Sequence, residues 1–459
     1  MYQVDFANPC HLYFIGIGGV SMSGLALVFK NKGFSVSGSD RSRSDACTHL
    51  EENGVQVFYG HRASNITTDI QCVIYTSAIK KDNPEYMEAV KLGIPLLTRG
   101  EIMGQLMKHY ACPIGISGTH GKTTTTSMLS EILLEANLDP TLFIGGSLKS
   151  IQGNVRIGRS DYLVTEACEY TNSFLSFFPK CGVILNVEED HLDFFQDLDD
   201  IRHSFREFAH LLPEDGCLVI NGEIEQLDYF TKDLPCKVLT FGLEGSCDYV
   251  PTNLHFENNK TSFTLQREGQ PVRTFTLQVP GKHNICNALA AIALADFLGI
   301  PDEVTAKALK EFTGTDRRFE RKGSLCGVEV IDDYAHHPSE ICATLTAAKA
   351  IAKGRIWCVF QPHTYTRTKA FLEDFAQALS LADRVILADI YAARETDTLG
   401  ISSATLQDAI LALNHPCEYF KSFDEIENFL LENCIKDDML ITMGAGDVYK
   451  IGNHLLGIS

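Results

Sequence analysis

Several features are missing from this sequence of 459 residues, and each absence excludes a class of protein. Its 15 cysteines include no Cys-x-x-Cys pair and no regular spacing, so we expect reduced thiols rather than a disulfide framework. No apolar run approaches the length of a membrane span, and the N-terminus lacks a basic segment followed by an apolar one. We therefore expect a cytoplasmic protein with no membrane partner.

Positive charge is also scarce, because 39 Lys and Arg residues stand against 59 Asp and Glu, a formal net charge of −20. A nucleic-acid-binding surface needs basic patches, so we expect no nucleic-acid partner. The hydrophobic content of 45% is that of an ordinary globular protein. The length exceeds what one hydrophobic core supports, which predicts two to four domains.

One stretch has the form of a phosphate-binding loop. Residues 114–116 predict a buried strand, Gly118-Thr-His-Gly-Lys-Thr123 predicts a glycine turn, and a helical pattern follows from residue 124 to about 136. Backbone N–H groups in such a turn, together with the start of the helix, attract a phosphate. Lys122 can then reach the β- and γ-phosphates, and the Thr123 hydroxyl can bind Mg²⁺. The sequence therefore predicts a nucleoside triphosphate site.

A second glycine turn lies near the N-terminus, between a predicted strand and a predicted helix. Gly16, Gly18 and Gly19 form the turn, and Asp40 ends the next predicted strand. This spacing is similar to a dinucleotide-binding fingerprint, but Ser21 stands where the third glycine is expected. The turn therefore favours a nucleotide diphosphate more than NAD in particular.

Potential Mg²⁺ ligands follow two further predicted strands. The strand at residues 162–166 ends in Glu166, and the strand at residues 181–187 is followed by His191. If both strands are parallel neighbours of the loop strand, these side chains lie in the same crevice as Lys122, because ligands bind beyond the carboxyl ends of such strands.

The remaining patterns complete the fold prediction. Apolar residues alternate between residues 249 and 279, which predicts antiparallel hairpins. Beyond residue 314, strands again alternate with helices, one of them near residues 369–381. We predict an α/β fold of three domains: a Rossmann-like domain at 1–108, a central P-loop domain with antiparallel hairpins at 109–313, and a Rossmann-like C-terminal domain at 314–459.

Together, these motifs resemble those of the Mur ligase family. The matching segments span the whole chain with the family's spacing and are residues 16–24, 118–124, 166–169, 186–191, 281–284, 317–320, 332–338 and 361–363. The resemblance implies a UDP-binding N-terminal domain, a central ATPase domain, and a C-terminal domain that closes over the nucleotide and brings the amino acid.

The resemblance also implies a reaction. It is the ATP-dependent ligation of L-alanine to the lactyl carboxylate of UDP-N-acetylmuramate through an acyl phosphate, the first stem-peptide step of peptidoglycan synthesis. ATP and Mg²⁺ are the implied cofactors. The expected partners are the three small-molecule substrates, and we expect a monomer or a weak homodimer.

Functional residues of the family carry over to matching positions of this chain. UDP-sugar binding is implied for Gly18, Gly19, Met22, Ser23, Gly24, Asp40, His61 and Ser77. ATP binding is implied for Gly118, Thr119, His120, Gly121, Lys122, Thr123, Thr124, Asn284, Arg318 and Asp333. Mg²⁺ binding is implied for Thr123, Glu166 and His191. Catalytic roles are implied for Lys122, Glu166, His191 and His336, and amino-acid binding for Arg367.

Three alternatives stay open on the sequence alone. A recycling ligase that joins a ready-made tripeptide to the same sugar nucleotide shares the N-terminal motifs and differs in its C-terminal pocket. A NAD-dependent oxidoreductase would explain the turn at Gly16 but leave Lys122 and Glu166 without a role. A catalytically inactive UDP-sugar sensor would have no use for an intact phosphate loop.

Overall fold

The computed structural model describes residues 2–257, 260–267, 271–393 and 395–458. The chain divides into two compact units. The first comprises Met1–Glu189, Asp197–Val250 and Leu289–Thr305, and the second comprises Asp190–Gln196, Pro251–Ala288 and Ala306–Ser459. Within the described ranges no helix is both long and apolar enough to cross a membrane. All 15 cysteines are free thiols, as expected.

The first unit begins with a five-stranded parallel sheet in the order β3-β2-β1-β4-β5. Its strands are β1 (His11–Ile15), β2 (Ser35–Asp40), β3 (Gln56–Tyr59), β4 (Cys72–Tyr75) and β5 (Leu96–Thr98). The helices of this region are α1 (Val20–Asn31), α2 (Asp45–Glu52), α3 (Pro84–Lys91) and α4 (Arg99–Met107). The strand order reverses between β1 and β4, which is the point where open α/β sheets bind ligands.

A seven-stranded sheet in the order β12-β11-β10-β6-β9-β7-β8 follows in the same unit. Its strands are β6 (Cys112–Ser117), β7 (Thr141–Leu148), β8 (Gly153–Arg156), β9 (Tyr162–Glu166), β10 (Cys181–Ile184), β11 (Cys217–Asn221) and β12 (Lys237–Phe241). The helices are α5 (Lys122–Glu135), α6 (Leu198–Ala209) and α7 (Leu227–Thr231). Strand β6 lies between β9 and β10 and is parallel to both, so Glu166 at the end of β9 lies at the same carboxyl edge of the sheet as the loop that holds Lys122.

Burial explains why the strand before the phosphate loop is so apolar. Ile114 and Ile116 of β6 are completely buried, as expected for a central parallel strand covered on both faces. Gly115, between them, faces α6, where an added Cβ would lie 3.3 Å from Phe208. The phosphate loop therefore follows a strand that is closely packed within the sheet.

The second unit contains an antiparallel sheet of β13 (Pro251–Glu257), β14 (Lys260–Leu265) and β15 (Arg273–Leu277). Phe263 and Phe275 are cross-strand partners and are completely buried. The predicted antiparallel hairpins are thus confirmed, although residues 258–259 and 268–270 of that stretch lie outside the described residues. Two helices follow this sheet in the chain, α8 (Lys282–Phe297) and α9 (Asp302–Glu311).

A six-stranded sheet in the order β16-β17-β21-β18-β19-β20 makes up most of the second unit. Its strands are β16 (Glu320–Leu325), β17 (Val328–Asp333), β18 (Ile356–Phe360), β19 (Arg384–Leu387), β20 (Cys417–Tyr419) and β21 (Met439–Met443). The pairing of β16 with β17 is antiparallel and the other pairings are parallel. The helices are α10 (Pro338–Ile351), α11 (Tyr365–Ala370), α12 (Leu372–Leu379), α13 (Ser403–Ala412), α14 (Phe423–Asn433) and α15 (Tyr449–Leu456).

The helix predicted near residues 369–381 is confirmed as α12, and the structure adds a separate short helix, α11, directly before it. The chain forms two helices there, α11 and α12, which are separated by Phe371 at φ −113° and ψ 28°. The Phe371 ring packs edge-on against the His337 ring with the centroids 4.9 Å apart. This contact lies between residues distant in the sequence, so the helical periodicity of the segment could not reveal the break.

Candidate active site

Two glycines and one asparagine shape the loop after β6. Gly118 and Gly121 have φ values of +140° and +82°, which L side chains rarely adopt. Asn186 accepts the His120 backbone N–H at 2.8 Å and donates its Nδ2 to the His120 carbonyl at 3.2 Å. The loop is thus clamped by a residue beyond β10. The sequence analysis included Asn186 in a matching segment but assigned it no role.

Lys122, the first residue of α5, has its ammonium group surrounded by oxygen atoms. Nζ donates to both carboxylate oxygens of Glu169 at 3.0 and 3.2 Å, to the Thr119 carbonyl at 3.0 Å and to the Gly118 carbonyl. Burial alone would lower the pKa of Lys122, but the negative groups around it, Glu169 foremost, together outweigh burial and raise the pKa. The lysine is therefore a fixed positive charge at the start of the helix.

Sequence reasoning missed Glu169, which is 3% exposed and forms an ion pair with Lys122 at 3.0 Å. The signal was present, since Glu169 closes the segment Glu166-Ala-Cys-Glu169. Its distance of 47 positions from Lys122 in the chain concealed the pairing.

Oxygen donors suited to Mg²⁺ lie beside the lysine. Thr123 follows it in the first turn of α5 and is 5% exposed, and Thr124 comes next and is half-buried. Glu166, at the end of β9, contributes to raising the pKa of Lys122 and accepts the Gly145 N–H at 2.6 Å. A hydroxyl and a carboxylate are the kinds of ligand that Mg²⁺ prefers, so these residues fit the predicted ion.

The N-terminal glycine turn joins two of the predicted UDP-sugar residues. Gly18 donates its N–H to Asp40 Oδ2 at 2.9 Å, and Gly19 precedes α1 as its N-cap residue. Met22 and Ser23 are buried in the first turns of α1. The turn therefore presents backbone N–H groups and a helix start where a diphosphate is expected.

Gly24 has a packing role that the sequence analysis did not predict. A Cβ at this position would lie 2.3 Å from Val155 Cγ2 and 3.4 Å from Phe143, so only glycine lets the β7–β8 hairpin lie against α1. Asn154 of the same hairpin donates to the Val20 carbonyl at 3.1 Å. The predicted contact of Gly24 with the diphosphate stays a prediction.

His61 and Ser77 follow strands of the same sheet. His61 comes just after β3, and its Nδ1 lies 3.0 Å from Glu85 Oε2. Ser77 comes just after β4 and is exposed. Both residues thus lie at the carboxyl edge of the sheet, where ligands of open α/β folds bind.

In the second unit, Arg367 is held by a buried carboxylate. Its Nε and Nη2 donate to Asp190 Oδ1 at 3.2 and 2.8 Å, and the two side chains are 9% and 8% exposed. Its Nη1 lies 3.2 Å from His363 Nδ1. Asp190 stands in the segment that includes His191, but the sequence analysis gave it no role.

Predicted catalytic histidines gather around the same carboxylate. His191 Nε2 lies 3.8 Å from Asp190 Oδ2, and the His336 and His363 rings are 5.7 Å apart. Burial would raise the pKa of Asp190, but the charges of Arg367, His191 and His336 outweigh it and lower the pKa. The structure therefore brings His191, His336 and Arg367 together.

Asn284, Arg318 and Asp333 are the three other residues of this unit for which ATP binding is predicted. Asp333 ends β17, is buried, and accepts the N–H groups of Phe319 and Ala335 at 2.9 and 2.8 Å. Burial raises its pKa to about 6, although Arg318 acts to lower it. Asn284 is buried at the start of α8 and donates to the Pro280 carbonyl at 2.6 Å. A contact of any of these side chains with ATP stays a prediction.

Three family models match the chain in order. They describe the Mur ligase family catalytic domain at residues 11–111, the Mur ligase middle domain at 116–295 and the Mur ligase glutamate ligase domain at 317–446. A curated relative from Agathobacter rectalis, named UDP-N-acetylmuramate–L-alanine ligase, is 54% identical over 99% of this chain and 100% of its own length. The chain belongs to the Mur ligase family and has its three-domain α/β fold.

Solved structures agree with this assignment. The UDP-N-acetylmuramate–alanine ligase of Thermotoga maritima has a TM-score of 0.83 and 29% identity, covering 97% of this chain and 98% of its own. The murein peptide ligase of Psychrobacter arcticus has a TM-score of 0.74 and 24% identity, covering 98% of both chains, which is a likeness of fold alone. The family resemblance is confirmed, and the matches do not support the oxidoreductase alternative.

Proposed function

We propose that this protein ligates L-alanine to the lactyl carboxylate of UDP-N-acetylmuramate with conversion of ATP to ADP and phosphate. The observation that carries the proposal is the 54% identity, over 99% of the chain, to a relative named for that pair of substrates. The phosphate loop with Lys122 agrees with it, because activation of a carboxylate by ATP requires a cation at the phosphates.

Activation of the carboxylate is the first step. One lactyl oxygen attacks the γ-phosphorus, the bond to the ADP oxygen breaks, and an acyl phosphate forms. Negative charge then spreads over the transferring group and the leaving ADP, where Lys122 and the N–H groups at the start of α5 stabilise it. Glu169 holds the Lys122 ammonium through both carboxylate oxygens.

Amide formation is the second step. The neutral amine of L-alanine attacks the acyl carbon, and phosphate leaves from the tetrahedral intermediate. Arg367 binds the alanine carboxylate through the Nη1 hydrogen that does not face His363 Nδ1, since Asp190 already engages Nε and Nη2. His336 Nδ1 faces the Tyr334 carbonyl at 3.1 Å, which leaves Nε2 to accept the amine proton.

Magnesium is the ion we propose for this site. Thr123 and Glu166 would hold one Mg²⁺, and His191 would be a ligand of a second. Bound Mg²⁺ would neutralise phosphate charge, as in other phosphoryl transfers.

We assign one substrate to each predicted domain. The sugar nucleotide binds at 1–108, ATP at 109–313 and the amino acid at 314–459, in agreement with the order of the three family models. Asn284, Arg318 and Asp333 remain in this proposal as ATP-binding residues, and the eight residues predicted to bind the UDP-sugar remain as such.

The cytoplasm is the proposed compartment, because all the cysteines are free.

Phosphate release with ATP, Mg²⁺ and UDP-N-acetylmuramate, with and without L-alanine, tests this function. Release that requires both the sugar nucleotide and L-alanine supports it. Release with a tripeptide but not with L-alanine would identify the recycling ligase instead. Lys122→Ala should abolish release and leave binding of the sugar nucleotide intact, because the two glycine turns are separate.

A further inference from the structure

A buried carboxylate lies beneath the proposed sugar-nucleotide site. Glu85, the second residue of α3, is completely shielded from solvent. Its helix is already capped, since Asn83 Oδ1 accepts the N–H groups of Glu85 and Tyr86. The Glu85 carboxylate is therefore not needed as a cap, and its burial calls for another explanation.

The two oxygens of Glu85 contact different groups. Oε1 accepts from the Tyr13 hydroxyl at 2.9 Å, from Asn65 Nδ2 at 2.6 Å and from the Arg62 N–H at 3.4 Å. Burial, together with the charge of Glu85, raises the pKa of Tyr13, so this hydroxyl remains a donor. These contacts fasten Oε1 to the surrounding scaffold.

Oε2 faces His61 and one serine. The Ser39 hydroxyl donates to Oε2 at 2.6 Å, and His61 Nδ1 lies 3.0 Å from Oε2 and 3.0 Å from Ser39 Oγ. Because the Ser39 proton is directed to Glu85, both oxygens near Nδ1 are acceptors. Nδ1 must then carry a proton, which determines the ring orientation.

The other ring nitrogen of His61 remains available. Its Nε2 has no hydrogen-bond partner among the residues that the structure describes, and the side chain is 13% exposed. The ring follows β3 at the carboxyl edge of the sheet, on the same side as the Gly16 turn. We propose that Glu85 is a positioning residue that holds His61 with Nε2 presented to the uridine part of the sugar nucleotide.

This inference rests on the proposed function for the location of the sugar nucleotide, but its test needs no turnover. Binding of UDP-N-acetylmuramate is measured by calorimetry, without ATP or L-alanine, for the wild type, His61→Ala, Glu85→Gln and the double variant. A glutamine cannot accept from all the donors around Glu85, so it loosens His61. We expect each single variant to raise Kd about tenfold, the effect of one lost oriented hydrogen bond.

The double variant separates positioning from general damage. If Glu85 acts through His61, the double variant binds no worse than His61→Ala alone.

Tyr13→Phe is the matched control, because it removes a hydrogen bond to Oε1 and leaves the Oε2 contacts in place. It should change Kd less than twofold even where its melting temperature falls as far as that of Glu85→Gln. Ser39→Ala, which removes one acceptor of Nδ1, should raise Kd severalfold and replaces Glu85→Gln if that variant does not fold.

Three results would overturn the inference. They are an unchanged Kd in His61→Ala, full additivity in the double variant, and a Tyr13→Phe effect equal to that of Glu85→Gln. A wild type that binds the sugar nucleotide but does not ligate L-alanine would refute the proposed function alone. A wild type that binds no sugar nucleotide would refute both.

Discussion

Replacement of Gly145 by alanine should impair catalysis while leaving the fold intact. The new Cβ would lie 2.5 Å from Glu166 Oε1 and 2.7 Å from Oε2, so the carboxylate must move by about 0.9 Å to reach an ordinary contact of 3.4 Å. The atoms in the way are the end of a flexible side chain, and Gly145 does not have a positive φ, so the cost to folding is small. A displacement of about 1 Å of a group in an active site lowers the reaction rate roughly 100-fold.

Initial rates of phosphate release, titrated with Mg²⁺, measure the effect. We expect Gly145→Ala to need about 10- to 100-fold more Mg²⁺ for half-maximal rate, because Glu166 is the proposed ligand. Gly153→Ala is the matched control, since it lies in the strand paired with β7 and a Cβ there meets nothing within 4 Å. Equal Mg²⁺ dependence in the two variants would refute the role of Glu166.

Three further variants test other parts of the site. Arg367→Ala should raise the alanine KM at least tenfold, measured by steady-state kinetics. It should also lower the free energy of unfolding by about 3 kcal/mol, measured by denaturant titration, because Asp190 stays buried without its arginine partner. Glu169→Gln should lower kcat roughly tenfold or more and leave the KM for the sugar nucleotide unchanged, since Lys122 loses its counter-charge; an unchanged kcat would contradict this. Asp333→Asn should abolish a pH dependence of stability. The folded-state pKa of Asp333, about 6, lies above its ordinary value of 3.8. The wild type should therefore lose about 3 kcal/mol of unfolding free energy as the pH rises from about 4 to above 6, and the variant should not.

The phosphate loop was predictable because its signals are local. Gly118, Lys122 and Thr123 lie within six positions, and the strand before them and the helix after them have their own patterns. That β9 and β10 are parallel neighbours of β6 was only a condition in the sequence analysis, because strand order depends on contacts between distant segments, and the structure meets it. Local patterns were therefore sufficient for the loop and its lysine, but not for the strand order around them.

Residues that act through a distant partner were not predictable in this way. Glu85 follows an asparagine and a proline, which is an ordinary helix start, and no local pattern shows that its carboxylate turns inward to Ser39 and His61. Glu169 is likewise defined by its contact with Lys122. Gly24 lies in the glycine-turn segment, but the close approach of Val155 depends on a hairpin more than 100 positions further along the chain.

Transfer of oxygen from the lactyl carboxylate to phosphate tests the acyl phosphate most directly. UDP-N-acetylmuramate carrying ¹⁸O in that carboxylate is converted with ATP and L-alanine, and the products are examined by mass spectrometry. Attack of the carboxylate on the γ-phosphorus predicts one ¹⁸O atom in each phosphate released. Unlabelled phosphate, or label in AMP, would contradict phosphoryl transfer at the Lys122 loop.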